Sequence, residues 1–217
     1  MSIDPETLRQ IEELSRDDRP LLVLDVDDVL LDFVRPFPRY LATRGYELRL
    51  ATFRLNGNIF ASGSGLEAVQ EEVAELIDAF FSAQTQWQTL VEGAADAVAE
   101  IARNAEVVLL TAMPHRHHAT RRNHLDALGL HYPLLTTEMA KGPAIQRLRG
   151  ESGRPVAFVD DQPRNLVSAR ESVADAHLFH LMADTSLRAL LPPPPEDASV
   201  VEGWHDARGS IASALGI

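Results

Sequence analysis

Acidic and hydroxyl side chains follow three short apolar runs of the chain. The runs are Leu21–Leu24, Val107–Leu110 and Val156–Val159. The polar residues that follow them are Asp25, Asp27 and Asp28 after the first run, Thr111 after the second, and Asp160 and Asp161 after the third. Carboxylates that lie close together repel one another unless a cation neutralises them, and a set of oxygen ligands favours Mg²⁺ over zinc. Because Mg²⁺ prefers one or two protein carboxylates together with a substrate phosphate, these residues predict a phosphorylated ligand.

Two further features are suited to binding a phosphoryl group. The Thr111 hydroxyl and the backbone amides from Ala112 onward precede a helix that Pro114 begins, and helix N-termini bind phosphate oxygens. Lys141 is the only lysine among the 20 basic residues, and arginine does not reproduce its compact point charge. We expect Lys141 to neutralise both a phosphoryl group and a nucleophilic aspartate. The chemistry indicated is Mg²⁺-assisted phosphoryl transfer, although each acid taken alone also fits a turn residue or a helix N-cap.

The elements that must position these residues alternate between strands and helices. The three apolar runs are typical of strands buried on both faces, and weaker strand patterns lie at 134–135 and 177–181. Helical patterns lie near 5–15, 94–104, 116–128, 141–149 and 164–174. This alternation predicts an α/β fold with a Rossmann-like three-layer α/β/α core around a parallel sheet. The carboxyl ends of such strands meet at the edge where ligands bind.

The segment from 33 to 92 interrupts this alternation and predicts a small inserted cap that is mainly helical. It has a helix-like stretch at 34–44, two alternating runs at 46–53 and 58–60 around the turn Asn56-Gly57, and a helix that ends near Ser82. The core then comprises 1–32 and 93–191, and 192–217 is a proline-rich linker followed by an appendage. The aromatic and arginine residues of the insertion have two interpretations, a pocket for a planar phosphorylated substrate or simply a small core with a charged surface.

Composition excludes several classes of protein. Among 217 residues, 20 are Lys or Arg and 32 are Asp or Glu, and the net charge of −12 disfavours nucleic-acid polymers and anionic membranes as partners. The absence of cysteine excludes disulfide scaffolds, thiol catalysis and cysteine-based zinc sites. The first residues do not resemble a secretory signal, and no apolar stretch approaches the roughly 18 residues of a membrane span. We expect a soluble, cytoplasmic protein that binds a small phosphorylated metabolite, as a monomer or as a homodimer.

The motifs together resemble those of the haloacid dehalogenase-like (HAD) superfamily. Leu-Val-Leu-Asp25-Val-Asp27-Asp28-Val29-Leu30 is similar to its first motif, Leu-Leu-Thr111 to its second, Lys141-Gly142 to its third and Phe-Val-Asp160-Asp161 to its fourth. The resemblance covers about residues 20–190. The inserted segment lies between the first and second motifs, where this superfamily places a cap that closes over the site.

The resemblance implies a role for each motif residue. Asp25 would attack phosphorus and form an aspartyl-phosphate, while Asp27 would protonate the leaving oxygen and later activate water. The implied ligands of Mg²⁺ are Asp25, the backbone carbonyl of Asp27, Asp160 and, directly or through water, Asp161. Thr111 and Lys141 would orient and neutralise the phosphoryl group. Dehalogenases of the superfamily lack the second acid, so Asp27 indicates a phosphatase or a phosphomutase.

Several alternatives stay open at this point. A phosphomutase acting on a sugar phosphate would use the same four motifs, and a non-catalytic protein that binds a phosphorylated ligand could share the scaffold. A faint similarity to the 5′(3′)-deoxyribonucleotidase branch suggests a nucleotide substrate. Asp28, where many members carry glycine, either perturbs the neighbouring acids or faces solvent. The histidines at 115–118 predict a solvated turn near the mouth of the site, and Asn165 is expected to be a hydrogen-bond partner behind the acids.

Overall fold

A six-stranded parallel sheet forms the centre of the protein in a computed structural model that describes residues 2–15 and 17–217. The strands of the chain are β1 (Leu21–Leu24), β2 (Tyr46–Leu48), β3 (Ile59–Ala61), β4 (Glu106–Thr111), β5 (Leu134–Thr136), β6 (Val156–Asp160), β7 (His177–His180) and β8 (Ser199–Val200). The sheet has the order β5-β4-β1-β6-β7-β8, and each neighbouring pair is parallel. Because β1 lies between β4 and β6, the residues that follow these three strands meet at one edge.

Helices cover both faces of the sheet, as the alternation of elements predicts. They are α1 (Pro5–Glu12), α2 (Phe37–Thr43), α3 (Gln70–Ser82), α4 (Gln84–Trp87), α5 (Ala94–Ile101), α6 (His118–Ala127), α7 (Gly142–Arg149), α8 (Pro163–Ser172) and α9 (Trp204–Leu215). Short 3-10 helices lie at His115–His117 and Thr185–Leu190. None of the helices in the described part of the chain has both the length and the apolar character that crossing a bilayer requires.

The side chains of β1 alternate between two separate cores. Leu22 and Leu24 pack with α5 and α9 on one face, whereas Leu21 and Val23 pack with α7 and α8 on the other. All four are fully buried, which explains why the strand consists only of apolar residues. The Rossmann-like three-layer fold expected from the sequence is therefore confirmed.

The inserted segment has its own core, and its β-hairpin is shorter than the sequence pattern indicates. Strands β2 and β3 are antiparallel around the Asn56-Gly57 turn, but β2 ends at Leu48 rather than near Phe53. The reason is the buried side chain of Asn58, which accepts a hydrogen bond from the Ala51 amide at 2.8 Å and donates one to the Arg54 carbonyl at 2.9 Å. These bonds draw the residues after β2 into a loop.

The insertion leaves and re-enters the core through two linkers that lie side by side. The Asp32 amide donates to the Thr89 carbonyl at 2.9 Å, and the Val91 amide donates to the Leu30 carbonyl at 2.9 Å. A bridge between Leu31 and Leu90 lies between these bonds. The linkers therefore form a short antiparallel pair at the base of the insertion.

The residues after the four prolines at 192–195 add a strand and a helix to the core. β8 pairs with β7, and α9 packs against α5 with Trp204, Ile211 and Leu215 buried. The Trp204 indole donates a hydrogen bond to the Val29 carbonyl at 2.8 Å. This segment, which the sequence predicts as an appendage, thus contacts the loop that carries the first motif.

Candidate active site

Lys141 lies between two aspartates at the carboxyl edge of the sheet. Its Nζ atom is 2.6 Å from Asp25 Oδ1 and 2.7 Å from Asp160 Oδ2. The lysine side chain is fully buried, and the two aspartates are also buried. Burial lowers the pKa of Lys141, but the charges of Asp160 and Asp25 outweigh this effect and raise the pKa to about 12. The ammonium group is therefore protonated at neutral pH and holds the ends of β1 and β6 together.

A close approach of two helices positions this lysine. Gly142, the first residue of α7, donates a backbone hydrogen bond to Ser168 Oγ of α8 at 3.1 Å. A Cβ atom at this glycine would lie 2.0 Å from the Ser168 carbonyl oxygen, so no larger residue fits without moving α7. The Lys141-Gly142 pair of the third motif thus combines a cation with the glycine that lets it approach.

Asp160 is held by the start of α8 as well as by the lysine. Its Oδ1 atom accepts hydrogen bonds from the Gln162 amide at 2.8 Å and from Asn165 Nδ2 at 2.9 Å. Asn165 therefore has the supporting role that the sequence predicts for it. The side chain of Gln162 donates to Asp161 Oδ2 at 2.5 Å, which ties the second acid of this motif to the same turn.

The buried carboxylates fit a divalent cation. One carboxylate oxygen from each of Asp25, Asp160 and Asp161 lies within 4.8 Å of the others. Burial raises the pKa of Asp25 to about 7, because the opposing effect of Lys141 is only partial and the charge of Asp160 adds to the rise. Burial, followed by the charge of Asp160, also raises the pKa of Asp161 well above its ordinary value. Three carboxylates against one ammonium leave a charge of −2 when all are ionised, and hard oxygen donors of this kind suit Mg²⁺.

Asp27 faces a different set of partners from the other acids. Its Oδ1 atom accepts hydrogen bonds from Gln88 Nε2 at 2.8 Å and from both terminal nitrogens of Arg121 at 3.0 Å. Thr111 Oγ1 lies 3.4 Å from its Oδ2 atom. Of the four predicted metal ligands, the structure groups the side chains of three, and the side chain of Asp27 lies apart from them. The role of its backbone carbonyl as a metal ligand stays a prediction.

A cavity of about 660 Å³ lies between the core and the insertion, directly over these acids. Asp25, Asp27, Asp28 and Asp161 line its inner end, next to Ala112. Apolar side chains form much of the remaining wall, namely Phe33, Val34, Leu50, Phe53, Leu55, Ile77 and Phe81, and polar groups of Asn56, Gln162 and Asn165 contribute as well. Arg54 and Arg164 add two exposed guanidinium groups to the lining. Phe37, Tyr40 and Phe80 are buried in the core of the insertion instead, and the pocket for a planar phosphorylated substrate stays a prediction.

Solved structures of other proteins share this architecture, although no protein-family model and no curated protein matches the sequence. A HAD-family hydrolase from Deinococcus radiodurans R1, with bound phosphate and sodium, superposes with a TM-score of 0.60 at 15% identity over 91% of this chain and 96% of its own. The HAD-hydrolase YfnB from Bacillus subtilis, bound to magnesium, gives a TM-score of 0.61 at 14% identity over 93% and 100% of the two chains. A Thermotoga maritima protein named as a β-phosphoglucomutase gives 0.58 at 13% identity over 89% and 99%. The chain has the HAD-like fold.

Within this HAD-like fold, Asp28 is a structural residue of the loop that leads into the insertion. Its φ of +57° is a left-handed conformation, which glycine adopts freely and aspartate tolerates better than most residues. Its Oδ1 atom accepts hydrogen bonds from the Phe33 amide at 2.8 Å and the Val34 amide at 3.1 Å. Its own carbonyl accepts a bond from the Ala183 amide at 2.8 Å. The Asp28 carboxylate therefore fixes the first linker rather than facing solvent.

Asp28→Asn is expected to stabilise the metal-free protein more at pH 8 than at pH 5. Burial raises the pKa of Asp28 to about 7, so the stability that this group contributes is complete below about pH 4 and is lost as pH rises through 7. Asparagine tolerates the same backbone conformation and has no proton to lose. Urea unfolding in EDTA at both pH values measures the difference, with the exposed Asp96→Asn as the control. If the difference in unfolding free energy between variant and parent were the same at pH 5 and pH 8, the raised pKa of Asp28 would be contradicted.

The insertion and the core also meet at an ion-paired contact between α3 and the turn that precedes α6. Asp78 of α3 accepts a hydrogen bond from Arg116 Nε at 2.7 Å and lies 2.6 Å from His117 Nε2. Bonds from His117 and Arg116 hold the pKa of Asp78 below its usual value. His117 is buried, so the expectation of a fully solvated histidine turn is wrong at this residue. The physical reason is that α3 packs over the turn and supplies it with a carboxylate.

Arg121, like Gln88, is a residue of the site that the sequence did not predict. It lies in the middle of α6, where an arginine between polar neighbours is typical of a solvated helix face. Its side chain is nevertheless fully buried, against Asp27, Gln88 and the ring of Phe81. The sequence offers only one weak signal, namely that Arg121 precedes the buried Leu125 by four positions and therefore shares its helix face.

Proposed function

We propose that the protein is a Mg²⁺-dependent phosphatase that hydrolyses a small phosphomonoester through an aspartyl-phosphate on Asp25. The observation that carries this proposal is the pair of contacts from Lys141 to Asp25 and Asp160, at the inner end of a cavity that Asp27 also lines. The nucleophile Asp25 and the second acid Asp27 thus face one cavity, and the buried cation Lys141 holds Asp25 in place from behind. The HAD-hydrolase names of the structural neighbours, and the phosphate bound in one of them, support the same reaction.

Each residue has a defined part in the proposed reaction. Lys141 bonds Asp25 Oδ1, so we assign Oδ2 as the oxygen that attacks phosphorus while the bond to the leaving oxygen breaks. Asp27 gives its proton to that leaving oxygen. A water molecule then attacks phosphorus, Asp27 takes the proton of the water, and the phosphate leaves Asp25 as a free carboxylate. Asp25, Asp160, Asp161 and the backbone carbonyl of Asp27 would hold Mg²⁺, whose charge would neutralise the anionic oxygens of the substrate and the nucleophile.

The cavity suggests the class of substrate. Aromatic rings of Phe33, Phe53 and Phe81 offer a surface for a planar or apolar body, and Arg54 and Arg164 attract anionic groups. These features favour a nucleotide or another phosphomonoester with a ring. A free metabolite is the proposed partner, and the proposed location is the cytoplasm; light scattering of the purified chain distinguishes a monomer from a homodimer.

Phosphate release from a panel of phosphomonoesters tests the proposal. The panel contains nucleoside 5′- and 3′-monophosphates, sugar phosphates and p-nitrophenyl phosphate, each assayed with Mg²⁺ and with EDTA. We expect release that requires Mg²⁺ and is fastest with a ring-bearing substrate. Folded protein that binds Mg²⁺ but releases no phosphate from any member would contradict the proposal and would favour a non-catalytic binding protein.

A phosphomutase is the second candidate, because two structural neighbours carry the name of a β-phosphoglucomutase. A mutase returns the phosphoryl group to its sugar and releases no net phosphate. Phosphorus NMR of a hexose 1-phosphate incubated with the protein distinguishes the two reactions. Conversion to an isomeric sugar phosphate without inorganic phosphate would favour the mutase.

Asp78→Asn is expected to raise KM two- to fivefold and to change kcat little. The variant weakens the contact of α3 with Arg116 and His117, which holds the insertion over the cavity. An exposed ion pair is worth up to about 1 kcal/mol, and a closed state that is less populated by this amount weakens apparent binding about fivefold. Steady-state kinetics with the best substrate of the panel measure the change, and Asp96→Asn is the control. A KM equal to that of the parent would show that the contact does not hold the binding-competent state.

A further inference from the structure

A buried arginine binds the side chain of Asp27 beside the candidate active site. Arg121 is fully buried, and its two terminal nitrogens lie 3.0 Å from Asp27 Oδ1, one of them also 3.3 Å from Oδ2. Its Nε atom has no hydrogen-bond partner within the described residues. Removing an arginine from water is costly, and well-packed apolar residues are often as stabilising as a buried ion pair. The direct contact of this costly buried charge with Asp27 therefore points to a role in the site.

Gln88 completes the arrangement from the second linker of the insertion. Its Nε2 atom donates to Asp27 Oδ1 at 2.8 Å and to the Asp32 carbonyl at 3.2 Å. Its Oε1 atom accepts a bond from Arg121 at 3.2 Å. Asp27, Arg121 and Gln88 thus form a closed triangle of hydrogen bonds that joins α6, the first-motif loop and the base of the insertion.

The two oxygens of Asp27 have unequal surroundings as a result. Oδ1 accepts three hydrogen bonds of 2.8 to 3.0 Å, whereas Oδ2 has only the longer contacts of 3.3 Å to Arg121 and 3.4 Å to Thr111. Bonds of the first length are well formed, and those of the second are weak. Oδ1 is therefore anchored, and Oδ2 is the oxygen left to meet a molecule in the cavity that Asp27 lines.

We propose that Arg121, together with Gln88, is a positioning residue that fixes the Asp27 side chain so that Oδ2 exchanges a proton with the leaving group and with water. This inference rests on the proposed phosphatase function. It predicts that loss of Arg121 slows the reaction of substrates whose leaving oxygen must be protonated. A substrate whose leaving group departs without a proton should be affected much less.

Arg121→Met, assayed with two leaving groups, tests this role. We expect kcat/KM for an alkyl phosphomonoester to fall about 100-fold or more, within the range of general acid catalysis, and kcat/KM for p-nitrophenyl phosphate to fall at least tenfold less. Guanidinium ion added to the Arg121→Ala variant should raise kcat/KM for the alkyl phosphomonoester more than kcat/KM for p-nitrophenyl phosphate. Arg122→Met is the matched control, because the neighbouring Arg122 bonds Asp126 and the carbonyls of Leu130 and Tyr132 rather than Asp27.

A second pair of variants separates positioning from a general loss of structure. If Arg121 acts through Asp27, Arg121→Met should cost little further activity in an Asp27→Asn background, whereas a structural defect would add to the first loss. Gln88→Leu serves if Arg121→Met does not fold, and a smaller loss with the same leaving-group dependence is expected. The positioning role alone would be overturned by three results together. These are equal losses of kcat/KM for both substrates, additive losses in the double variant and no rescue by guanidinium. A parent protein inactive on both substrates would overturn the phosphatase function itself.

Discussion

Asp25→Asn is expected to abolish phosphate release, by about 10⁴-fold or more, while the fold is retained. Asparagine has nearly the same shape, but its amide is not a nucleophile and forms no acyl phosphate that water can cleave. It also removes one of the three carboxylates grouped at the edge of the sheet. Phosphate release from the best substrate of the panel, with circular dichroism as a check on folding, measures the effect.

The same substitution is expected to stabilise the metal-free protein at neutral and alkaline pH. Burial raises the pKa of Asp25 to about 7, so its contribution to stability is complete below about pH 4 and is lost as pH rises through 7. The variant has no such loss, and urea unfolding in EDTA at pH 5 and pH 8 should show that its advantage in unfolding free energy grows with pH.

Turnover of the Asp25→Asn variant within tenfold of the parent would rule out Asp25 as the nucleophile. An unfolded variant would show instead that the carboxylate is needed for the structure.

Lys141→Met is expected to cost about 3–5 kcal/mol of unfolding free energy and to remove turnover as well. Lysine and methionine occupy similar volumes, so the loss comes from charge rather than from packing. Asp25 and Asp160 would be left buried, with the ammonium group that lies 2.6 and 2.7 Å from them removed. Urea unfolding at pH 8 in EDTA measures the effect where both carboxylates most need the cation.

A double substitution provides the control for this interpretation. Asp160→Asn in the Lys141→Met background removes one of the uncompensated charges, so part of the lost stability should return. The Lys141→Arg variant should be less stable than the parent, although it keeps the positive charge. The packing of Gly142 on Ser168 leaves α7 no freedom to accommodate a longer, forked side chain. A Lys141→Met variant as stable as the parent at pH 8 would show that the lysine does not neutralise this cluster.

The strands and the strand-end acids could be predicted because their signals are local. Leu21–Leu24 is apolar at every position because both faces of β1 are covered, and the same is true of the runs before Thr111 and Asp160. Parallel pairing then places the residues after these strands at one edge, whatever the details of the helices. The contact of Lys141 with Asp25 and Asp160 is a consequence of that topology.

The features that were missed depend on contacts between distant segments. β8 has only two residues, and no periodicity distinguishes so short a strand from a loop. Arg121 lies on a helix whose exposed face is equally polar, and only the packing of α4 and the first-motif loop against α6 decides that it is buried. His117 is buried for a similar reason, since Asp78 is 39 positions away along the chain. Asp28 could not be assigned without its φ of +57° and its bonds to the following linker.

The paired linkers at the base of the insertion have a consequence for how the chain can change. A backbone hydrogen bond joins Leu30 and Val91. The core therefore treats the 60 or so residues between them as one loop, whose two ends are already in contact. Closing a loop of 60 residues instead of 6 costs only about 2 kcal/mol more in chain entropy. The insertion over the acids can therefore be lengthened, shortened or exchanged at little thermodynamic cost. Under the proposed function, this would let substrate selectivity diverge while the residues of the reaction stay the same.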